Sequence, residues 1–390
     1  MEKQQRVLVV SFPAQGHISP LLKLSIQIAA HGIKVTFVTT EVEDGAFMEP
    51  LPEEQSSITL ISIPHCVDED VRNDALKTVE TIESIRRVIP VYLEDLIAKI
   101  NQSDDEEKIS CVIADTSVGG ALEVAKKMGL EAVAIWPAGA PCLALAAHIP
   151  QLLQHEIINN DVYELDSSVS KLIPNALPIG PLLAGKTWPQ DSTCLAWLNR
   201  QPAASVIYVA FGSSTMASAK QVEELALGLE LSGHPFLWVV RPNSMDGSTV
   251  KFPDRFKDRV SGKGKIIEWT LQEAVLAHPS VLCFVSHCGW NSTVEGLTMG
   301  VPFLCWPYIA DQFSSKNYIC NVLKTGLELM KGENGITTRS EISSKTNTLI
   351  SSDVINSKAL HVKEIVRKSS NEGGSSFKNF KSFIEHIKSL

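Results

Sequence analysis

The sequence predicts an α/β protein with two domains, each built around a parallel sheet. Strands and helices alternate in the first half of the chain, and the same alternation returns after residue 202. Between the two lies a Pro-rich stretch without clear periodicity, residues 171–202, which is typical of a linker. A chain of 390 residues with 44% hydrophobic content is long enough to bury two cores.

The first β–α–β unit lies at the N-terminus. Arg6 to Phe12 is a β-branched apolar run that predicts a strand. A turn at Pro13 to Pro20, a helix over Leu21 to Ala30 and a second strand over Lys34 to Thr39 are expected to follow. Because a crossover helix joins parallel strands, this order predicts a parallel sheet with a right-handed connection.

Further elements extend this domain, which we assign to residues 1–170. Ile109 to Ala114 and Glu131 to Trp136 have strand patterns, Ala121 to Met128 has a helical one, and a helix is expected around Cys142 to Leu152. No G-x-G-x-x-G motif follows these strands, which disfavours a nicotinamide or flavin oxidoreductase.

The second domain is assigned to residues 203–374. It opens with a strand over Val206 to Phe211, a helix over Lys220 to Leu231 and a strand over Phe236 to Val240. Residues 375–390 carry apolar side chains at helical spacing, so a C-terminal helix is expected there.

Bulk properties restrict the function. The net charge of −9 argues against a nucleic-acid partner. The eight cysteines include no C-x-x-C pair or metal-ligand spacing, which is typical of reduced core residues. The sequence shows neither a signal peptide nor a membrane anchor, so a cytoplasmic protein is expected, and we expect a monomer.

The segment Trp269 to Gln312 carries the strongest functional signal. Within it, a short strand over Val281 to Val285 runs through a turn at Gly289 into a helix that starts near Asn291. The start of a helix offers backbone N–H groups and a positive dipole end, which favour a phosphate. Asn291 and Ser292 would add side-chain donors at that point.

Two further side chains suit a nucleotide. His287 precedes the turn, where an imidazole donor could contact a phosphate. Glu295 shares a helix face with Asn291 and Ser292, and its carboxylate could accept hydrogen bonds from ribose hydroxyls. An ordinary helix cap with Glu295 completing a capping box is the structural alternative.

The ends of the segment support the nucleotide-sugar interpretation. Trp269 lies beside Gln272, which places a flat apolar face next to an amide, as stacking on a base requires. Asp311 and Gln312 close the segment with the acceptors and donors that suit adjacent sugar hydroxyls.

With these residues, the segment resembles the signature box of plant UDP-glycosyltransferases. That resemblance implies the GT-B fold, with two facing Rossmann-like domains and a cleft between them. It also implies UDP-glucose as the donor, because in the family Gln at the last position usually accompanies UDP-glucose and His accompanies UDP-galactose. The matching residues are Trp269, Gln272, His278, His287, Cys288, Gly289, Trp290, Asn291, Ser292, Glu295, Gly300, Pro302, Trp306, Pro307, Asp311 and Gln312.

The resemblance also implies residue roles, and a C-terminal helix that crosses back to the first domain. Uracil would stack on Trp269, ribose would bind Gln272 and Glu295, the diphosphate would bind His287, Asn291 and Ser292 beside Gly289, and the sugar would face Trp290, Asp311 and Gln312.

Transfer needs a base for the acceptor hydroxyl, and His17 is the candidate. It lies in the motif PAQGH after the first strand, and Asp115 ends the strand motif CVIAD. Both should emerge at the same sheet edge, where the carboxylate would fix the imidazole tautomer. A loop histidine without such a setting is more often a surface or helix-start residue, but both motifs match the family.

The expected reaction is one in-line displacement with inversion, giving a β-glucoside of a small hydrophobic acceptor such as a phenolic, flavonoid or terpenoid. Ser213 and Thr215 are expected to help stabilise the leaving diphosphate. The groups around the diphosphate would do the work that a divalent metal does in other transferases, so neither a metal nor another cofactor is expected.

The chain departs from the family after the helix around Cys142 to Leu152, where typical members carry several tens of residues more. That segment normally supplies a strand and part of the acceptor pocket, so a sheet edge could be left unpaired. A catalytically impaired UDP-sugar-binding isoform is therefore the alternative function, whereas an epimerase or hydrolase is disfavoured by the Asp311-Gln312 ending.

Overall fold

The computed structural model describes residues 5–40, 57–63, 78–102, 108–155, 176–183, 192–212, 218–241 and 250–390. The chain divides into two compact units, one of Met1–Leu182 with Ser376–Leu390 and one of Leu183–Ser375. Each unit contains its own parallel sheet. Among the helices in these ranges, none is both long and apolar enough to cross a membrane.

The first unit has its strands in the order β3-β2-β1-β4-β5, all parallel. The strands are β1 Arg6–Val10, β2 Lys34–Thr40, β3 Ile58–Ile63, β4 Ile109–Asp115 and β5 Glu131–Ile135. The helices are α1 Gln15–Ala29, α2 Thr78–Gln102, α3 Gly120–Lys127 and α4 Ala140–Gln154, with a 3₁₀ turn at Thr116–Val118.

The turn expected at Pro13 to Pro20 is wrong, because α1 already begins at Gln15 and includes Pro20. A proline inside a helix removes one backbone hydrogen bond. Burial of Ile18 and Leu21 against the sheet offsets that loss, since both side chains are almost completely buried. His17 therefore lies in the first turn of a helix rather than in a loop.

The second unit has its strands in the order β11-β10-β9-β6-β7-β8, again all parallel. The strands are β6 Val206–Ala210, β7 Phe236–Val239, β8 Gly264–Ile267, β9 Val281–Ser286, β10 Phe303–Cys305 and β11 Gly326–Glu328. The helices are α5 Ser192–Leu198, α6 Ala219–Ser232, α7 Phe256–Arg259, α8 Gln272–Leu276, α9 Trp290–Met299, α10 Gln312–Asn317, α11 Arg339–Ile350 and α12 Asp353–Ser370, with a π-helical turn at Tyr318–Leu323.

Both faces of this second sheet are covered. Along the central strand β6, Ile207 and Val209 belong to one buried cluster, whereas Val206 and Tyr208 belong to another. This alternation follows from the period of two along a strand. It explains why β6 is apolar throughout, as expected for a parallel strand between two layers of helices.

The boundary between the units falls at Leu182, within the stretch 171–202 that the sequence marks as a linker. The end of that stretch is nevertheless structured, because α5 packs Cys194 and Leu198 into the second core. The final helix, α13 Ser375–Lys388, belongs almost wholly to the first unit. There His386 Nε2 lies 3.3 Å from Glu131 Oε1 on β5.

Strand β5 is an edge of the first sheet in the part of the chain that the structure describes. Its apolar residues, Ala132 to Ile135, are only half-buried, whereas those of the neighbouring β4 are almost completely buried. A chain shortened after α4 would leave such an edge, because the segment expected to supply a further strand is missing.

Candidate active site

The first unit brings His17 and Asp115 into direct contact. Nδ1 of His17 lies 2.6 Å from Oδ2 of Asp115, a distance typical of a charge-assisted hydrogen bond. The carboxylate is fully buried, whereas the imidazole is 31% exposed. The pair therefore has one side fixed inside the protein and one side open to a reactant.

The topology explains this contact. His17 follows β1 and Asp115 is the last residue of β4, and these two strands are hydrogen-bonded neighbours in the sheet. The carboxyl ends of parallel strands meet at one sheet edge, as the sequence analysis expects. The backbone N–H of Ser117 donates to Asp115 Oδ1 at 2.7 Å, so both carboxylate oxygens are engaged.

This geometry suits a general base. If Nδ1 carries the proton and donates a hydrogen bond to Asp115 Oδ2, Nε2 has a lone pair that can accept a proton. The ring of Phe12 lies 5.2 Å from the imidazole, centroid to centroid, and packs beside it. The carboxylate would also stabilise the imidazolium that forms during proton transfer.

The second unit contains a strand, turn and helix at the predicted place. The turn between β9 and α9 holds Cys288 at a φ of 65°, a conformation that is strained for a residue with a side chain. The hydroxyl of Ser286 accepts from the Cys288 N–H at 3.1 Å, and the Thr293 hydroxyl donates to the Cys288 carbonyl at 3.2 Å. These bonds hold the turn and offset part of the strain.

His287 is enclosed by two glycines. A Cβ atom at Gly212 would lie 2.6 Å from Nε2 of His287, and one at Gly289 would lie 2.5 Å from the same atom. Gly212 also has a φ of 71°. Any side chain at either position would displace the imidazole, so both glycines are required by close approach.

Burial lowers the pKa of His287 to about 4, and a hydrogen bond with the backbone of Ala210 offsets this shift only in part. The charged form is disfavoured because the low-dielectric surroundings do not solvate it. His287 is therefore neutral near pH 7. A neutral imidazole carries one N–H group, so a phosphate oxygen would have to replace the Ala210 backbone as its acceptor.

A polar network links the two short helices α8 and α9. Nε2 of Gln272 donates to Ser292 Oγ at 2.8 Å and to Glu295 Oε2 at 2.7 Å. The residue before the helix is Gly289, and no side chain caps α9 there. The capping-box alternative for Glu295 is therefore wrong, since this carboxylate is engaged by the amide of Gln272 from α8.

The remaining residues predicted for the donor lie at loops and helix starts of the same unit. Trp269 follows β8 and is 47% exposed, so its indole face is open to solvent. Trp290 and Asn291 lie in the first turn of α9 and are half-buried. Asp311 directly precedes α10. Ser213 and Thr215 lie outside the described residues.

Gln312 also holds the backbone of a loop, a role that the sequence does not predict. Its Oε1 accepts hydrogen bonds from the backbone N–H groups of Tyr308 and Ile309, at 2.8 and 3.0 Å. The side chain is almost completely buried. Its amide oxygen therefore holds the loop after β10, which leaves the Nε2 group as the part that could contact a sugar.

The contact of Tyr208 with the proposed donor residues is also not predicted by the sequence. Tyr208 lies in the middle of β6 and its phenol donates to Oε1 of Gln272 at 3.3 Å. A tyrosine in an apolar strand looks like a core residue, and only the position of Gln272 in space distinguishes it from one. The described ranges contain no group of three or more His, Cys, Asp or Glu side chains arranged to hold a metal.

Comparisons with known proteins show to which family these two units are similar. A family described as UDP-glucoronosyl and UDP-glucosyl transferase matches residues 156–326, and one described as glycosyltransferase, N-terminal domain, matches residues 3–44. The first match includes every residue predicted for the donor. The second includes His17.

Solved structures share the fold. The chain is 24% identical to Phytolacca americana UGT2, complexed with UDP-2fluoro-glucose and pterostilbene, with a TM-score of 0.80 and 99% of each chain covered. It is also 24% identical to a UDP-glucose: anthocyanidin 3-O-glucosyltransferase in complex with UDP, with a TM-score of 0.82 and 100% of each chain covered. The GT-B fold class predicted from the sequence is confirmed.

Sequence relatives establish the family. UDP-glycosyltransferase 83A1 of Arabidopsis thaliana is 35% identical over 98% of this chain and 97% of its own length. The limonoid UDP-glucosyltransferase of Citrus unshiu is 30% identical over 99% of this chain and 90% of its own. Since the first alignment has 460 positions and the chain has 390 residues, at least 70 positions lack a residue here. Shortened though it is, this chain belongs to the plant UDP-glycosyltransferases.

Proposed function

We propose that this enzyme transfers glucose from UDP-glucose to a hydroxyl or carboxyl group of a small plant metabolite, with inversion at the anomeric carbon. The observation that carries the proposal is the 2.6 Å contact between His17 Nδ1 and Asp115 Oδ2. A protein that only bound a UDP-sugar would have no use for an oriented base. The family membership supplies the donor class.

In the proposed mechanism, Nε2 of His17 removes the proton from the acceptor as its oxygen attacks the anomeric carbon. Asp115 keeps the imidazole in the required tautomer and stabilises its positive charge. The bond from the anomeric carbon to the UDP oxygen breaks as the new bond forms on the opposite face. An α-linked donor therefore gives a β-glucoside.

The donor is proposed to bind the second unit through the residues named above. The start of α9, with Asn291 and Ser292, and the neutral imidazole of His287 would donate hydrogen bonds to the diphosphate as its charge develops. The half-exposed face of Trp269 would stack on the uracil, and Gln272 with Glu295 would hold the ribose. We propose that these groups suffice without a metal.

Relatives support glucose as the sugar and a small organic acceptor. One is named gallate 1-beta-glucosyltransferase, from Quercus robur, and another cinnamate beta-D-glucosyltransferase, from Fragaria ananassa. Together with the limonoid enzyme, these names cover phenolic and terpenoid acceptors, and we propose the same classes here.

We also propose that the enzyme works as a monomer in the cytoplasm. The cysteines within the described ranges are free thiols, and most are buried, which agrees with a reducing compartment. Light scattering of the purified protein at assay concentration tests the monomer, and fluorescence microscopy of a tagged chain tests the compartment.

The activity is tested by incubating the purified protein with UDP-glucose and a panel of phenolic, terpenoid and carboxylic acid acceptors. Mass spectrometry then detects the added hexose, with the His17→Ala variant as the matched control and a chelator in a parallel sample. A hexose adduct that requires His17 and survives the chelator supports the proposal. A folded protein that binds UDP but yields no adduct with any acceptor would contradict it in favour of the impaired isoform.

A further inference from the structure

Tyr208 occupies a position behind the proposed donor site that no packing requirement explains. It lies on the central strand β6 with 1% of its surface exposed. Its ring stacks on Phe284 of β9, with centroids 5.0 Å apart, and a phenylalanine would make the same contact. The hydroxyl must therefore be explained by what it bonds.

The hydroxyl contacts Gln272, the residue at the start of α8. Tyr208 donates to Oε1 of Gln272 at 3.3 Å, while Nε2 of the same amide donates to Ser292 and Glu295. The two ends of the amide thus have different partners on opposite sides. A side-chain amide is nearly symmetric in shape, so only such partners decide which end faces the ligand side.

The phenol remains a donor throughout the working pH range. Burial, and after it the charge of Glu295, raise the pKa of Tyr208 well above its usual value of 10. The hydroxyl therefore keeps its proton at neutral pH. A buried hydroxyl without an acceptor is unfavourable, so the contact with Gln272 Oε1 is strongly maintained.

We propose that Tyr208 is a positioning residue for ribose recognition. Its hydroxyl fixes the amide of Gln272, and Nε2 of that amide in turn fixes Oε2 of Glu295, so both groups are oriented before the nucleotide binds. This inference rests on the proposed role of Gln272 and Glu295 as the ribose-binding pair. It adds a residue that would touch neither donor nor acceptor and acts through Gln272.

The test replaces Tyr208 by Phe, which keeps the stacking on Phe284 and removes the hydroxyl. Tyr92→Phe, at a 42% exposed site on α2, is the matched control for loss of a phenol hydroxyl. Calorimetry measures the Kd of UDP, 2′-deoxy-UDP and 3′-deoxy-UDP for the wild type and for each variant. This readout needs no acceptor, so it does not depend on whether transfer is detected.

We expect Tyr208→Phe to weaken UDP binding about fivefold, which is the effect of one hydrogen bond. The affinity for at least one of the two deoxy analogues should fall far less than the affinity for UDP. The preference for ribose over deoxyribose therefore falls, and Tyr92→Phe matches the wild type. A purely structural role would weaken all three nucleotides equally, and that result would overturn the inference.

Three further variants, Glu295→Ala, Gln272→Ala and the double variant of Tyr208→Phe with Gln272→Ala, separate this inference from the donor assignment. Glu295→Ala should abolish the preference for ribose, and adding Tyr208→Phe to Gln272→Ala should change nothing more. If Glu295→Ala loses the preference while Tyr208→Phe keeps it, the inference fails and the donor assignment stands. If Glu295→Ala and Tyr208→Phe both keep the preference for ribose, the ribose assignment fails, and the inference that rests on it fails too.

Discussion

The two units build their sites in different ways. In the first unit, two residues 98 positions apart form one hydrogen bond, and one partner remains open to solvent. In the second unit, the proposed donor residues lie between Trp269 and Gln312 in the sequence, apart from Ser213 and Thr215, and several are hydrogen-bonded to one another. Gln272 bonds Ser292 and Glu295, for example.

This difference follows from the different tasks proposed for the two units. A base must exchange a proton, so one of its nitrogen atoms has to stay accessible, whereas a binding site gains from groups that are fixed in advance. The first unit is therefore expected to control the chemical step, and the second to control affinity for the nucleotide sugar.

The largest effect is expected from His17→Ala. Removing the proposed base should lower kcat about a thousandfold, since general base catalysis contributes roughly 10² to 10⁴ in rate. The Kd of UDP should not change, because every residue proposed for the nucleotide belongs to the other unit. Steady-state kinetics and calorimetry on the same preparation measure both quantities.

Asp115→Asn sharpens this prediction. The amide cannot hold the imidazole in the same tautomer, so kcat should fall about a hundredfold, and the double variant should lose no more than His17→Ala alone. Near-normal turnover in His17→Ala would remove the base assignment, and a matching loss of UDP affinity would remove the division between the units.

The proposed donor site is more visible in the sequence than the acceptor side, for a physical reason. A strand, turn and helix that bind a phosphate use neighbouring residues, so the pattern is visible along the chain. The contact between His17 and Asp115 depends on the pairing of β1 with β4, and it could be expected only because parallel strands end at one edge.

Three features could not be predicted. The first turn of α1, which carries His17, was not predicted, because Pro20 usually marks the end of a helix or a turn. Here the burial of neighbouring apolar residues outweighs one lost hydrogen bond. The roles of Tyr208 and of Gln312 Oε1 depend on partners that only the folded chain supplies. Local patterns therefore indicate the residues proposed to face a ligand, but not those that hold them in place.

The next effect in size concerns His287 and pH. Its folded-state pKa of about 4 lies below the ordinary value of 6.5, so the unfolded chain takes up the proton first as the pH falls. Stability should thus be lost between pH 6.5 and 4, by ~3 kcal/mol from this group, with no further loss from it below pH 4. His287→Gln should remove that part of the pH dependence.

Urea unfolding at several pH values measures this effect. His361→Gln, at an exposed site in the same unit, is the matched control and should keep the wild-type slope. If the free energy of unfolding of His287→Gln changes with pH as in the wild type, burial does not hold the imidazole neutral. The donor site would then be less fixed in advance than the difference between the two units implies.

A smaller effect is expected from Gly289→Ala. The added methyl group would lie 2.5 Å from Nε2 of His287, so the imidazole has to move away from its place beside the helix start. UDP affinity should fall about tenfold, the loss of one charge-assisted hydrogen bond, with little change in kcat at saturating donor. Gly262→Ala, where nothing lies within 4 Å of the added atom, should bind UDP normally. Equal affinities in the two variants would contradict the tight enclosure of His287.

The smallest effect tests whether Gln312 reads the sugar through its amide nitrogen. Its Oε1 already serves the backbone of Tyr308 and Ile309, so Gln312→Glu keeps the loop acceptor and removes only the nitrogen donor, whereas Gln312→Ala removes both. The preference for UDP-glucose over UDP-galactose should fall about fivefold in both variants, since each loses one donor. The Tm should fall only in Gln312→Ala, because only that variant leaves two backbone N–H groups without their acceptor. If Gln312→Glu keeps the glucose preference, Gln312 only holds the loop after β10. It would then be a residue of the second unit that shapes the site without contacting the donor.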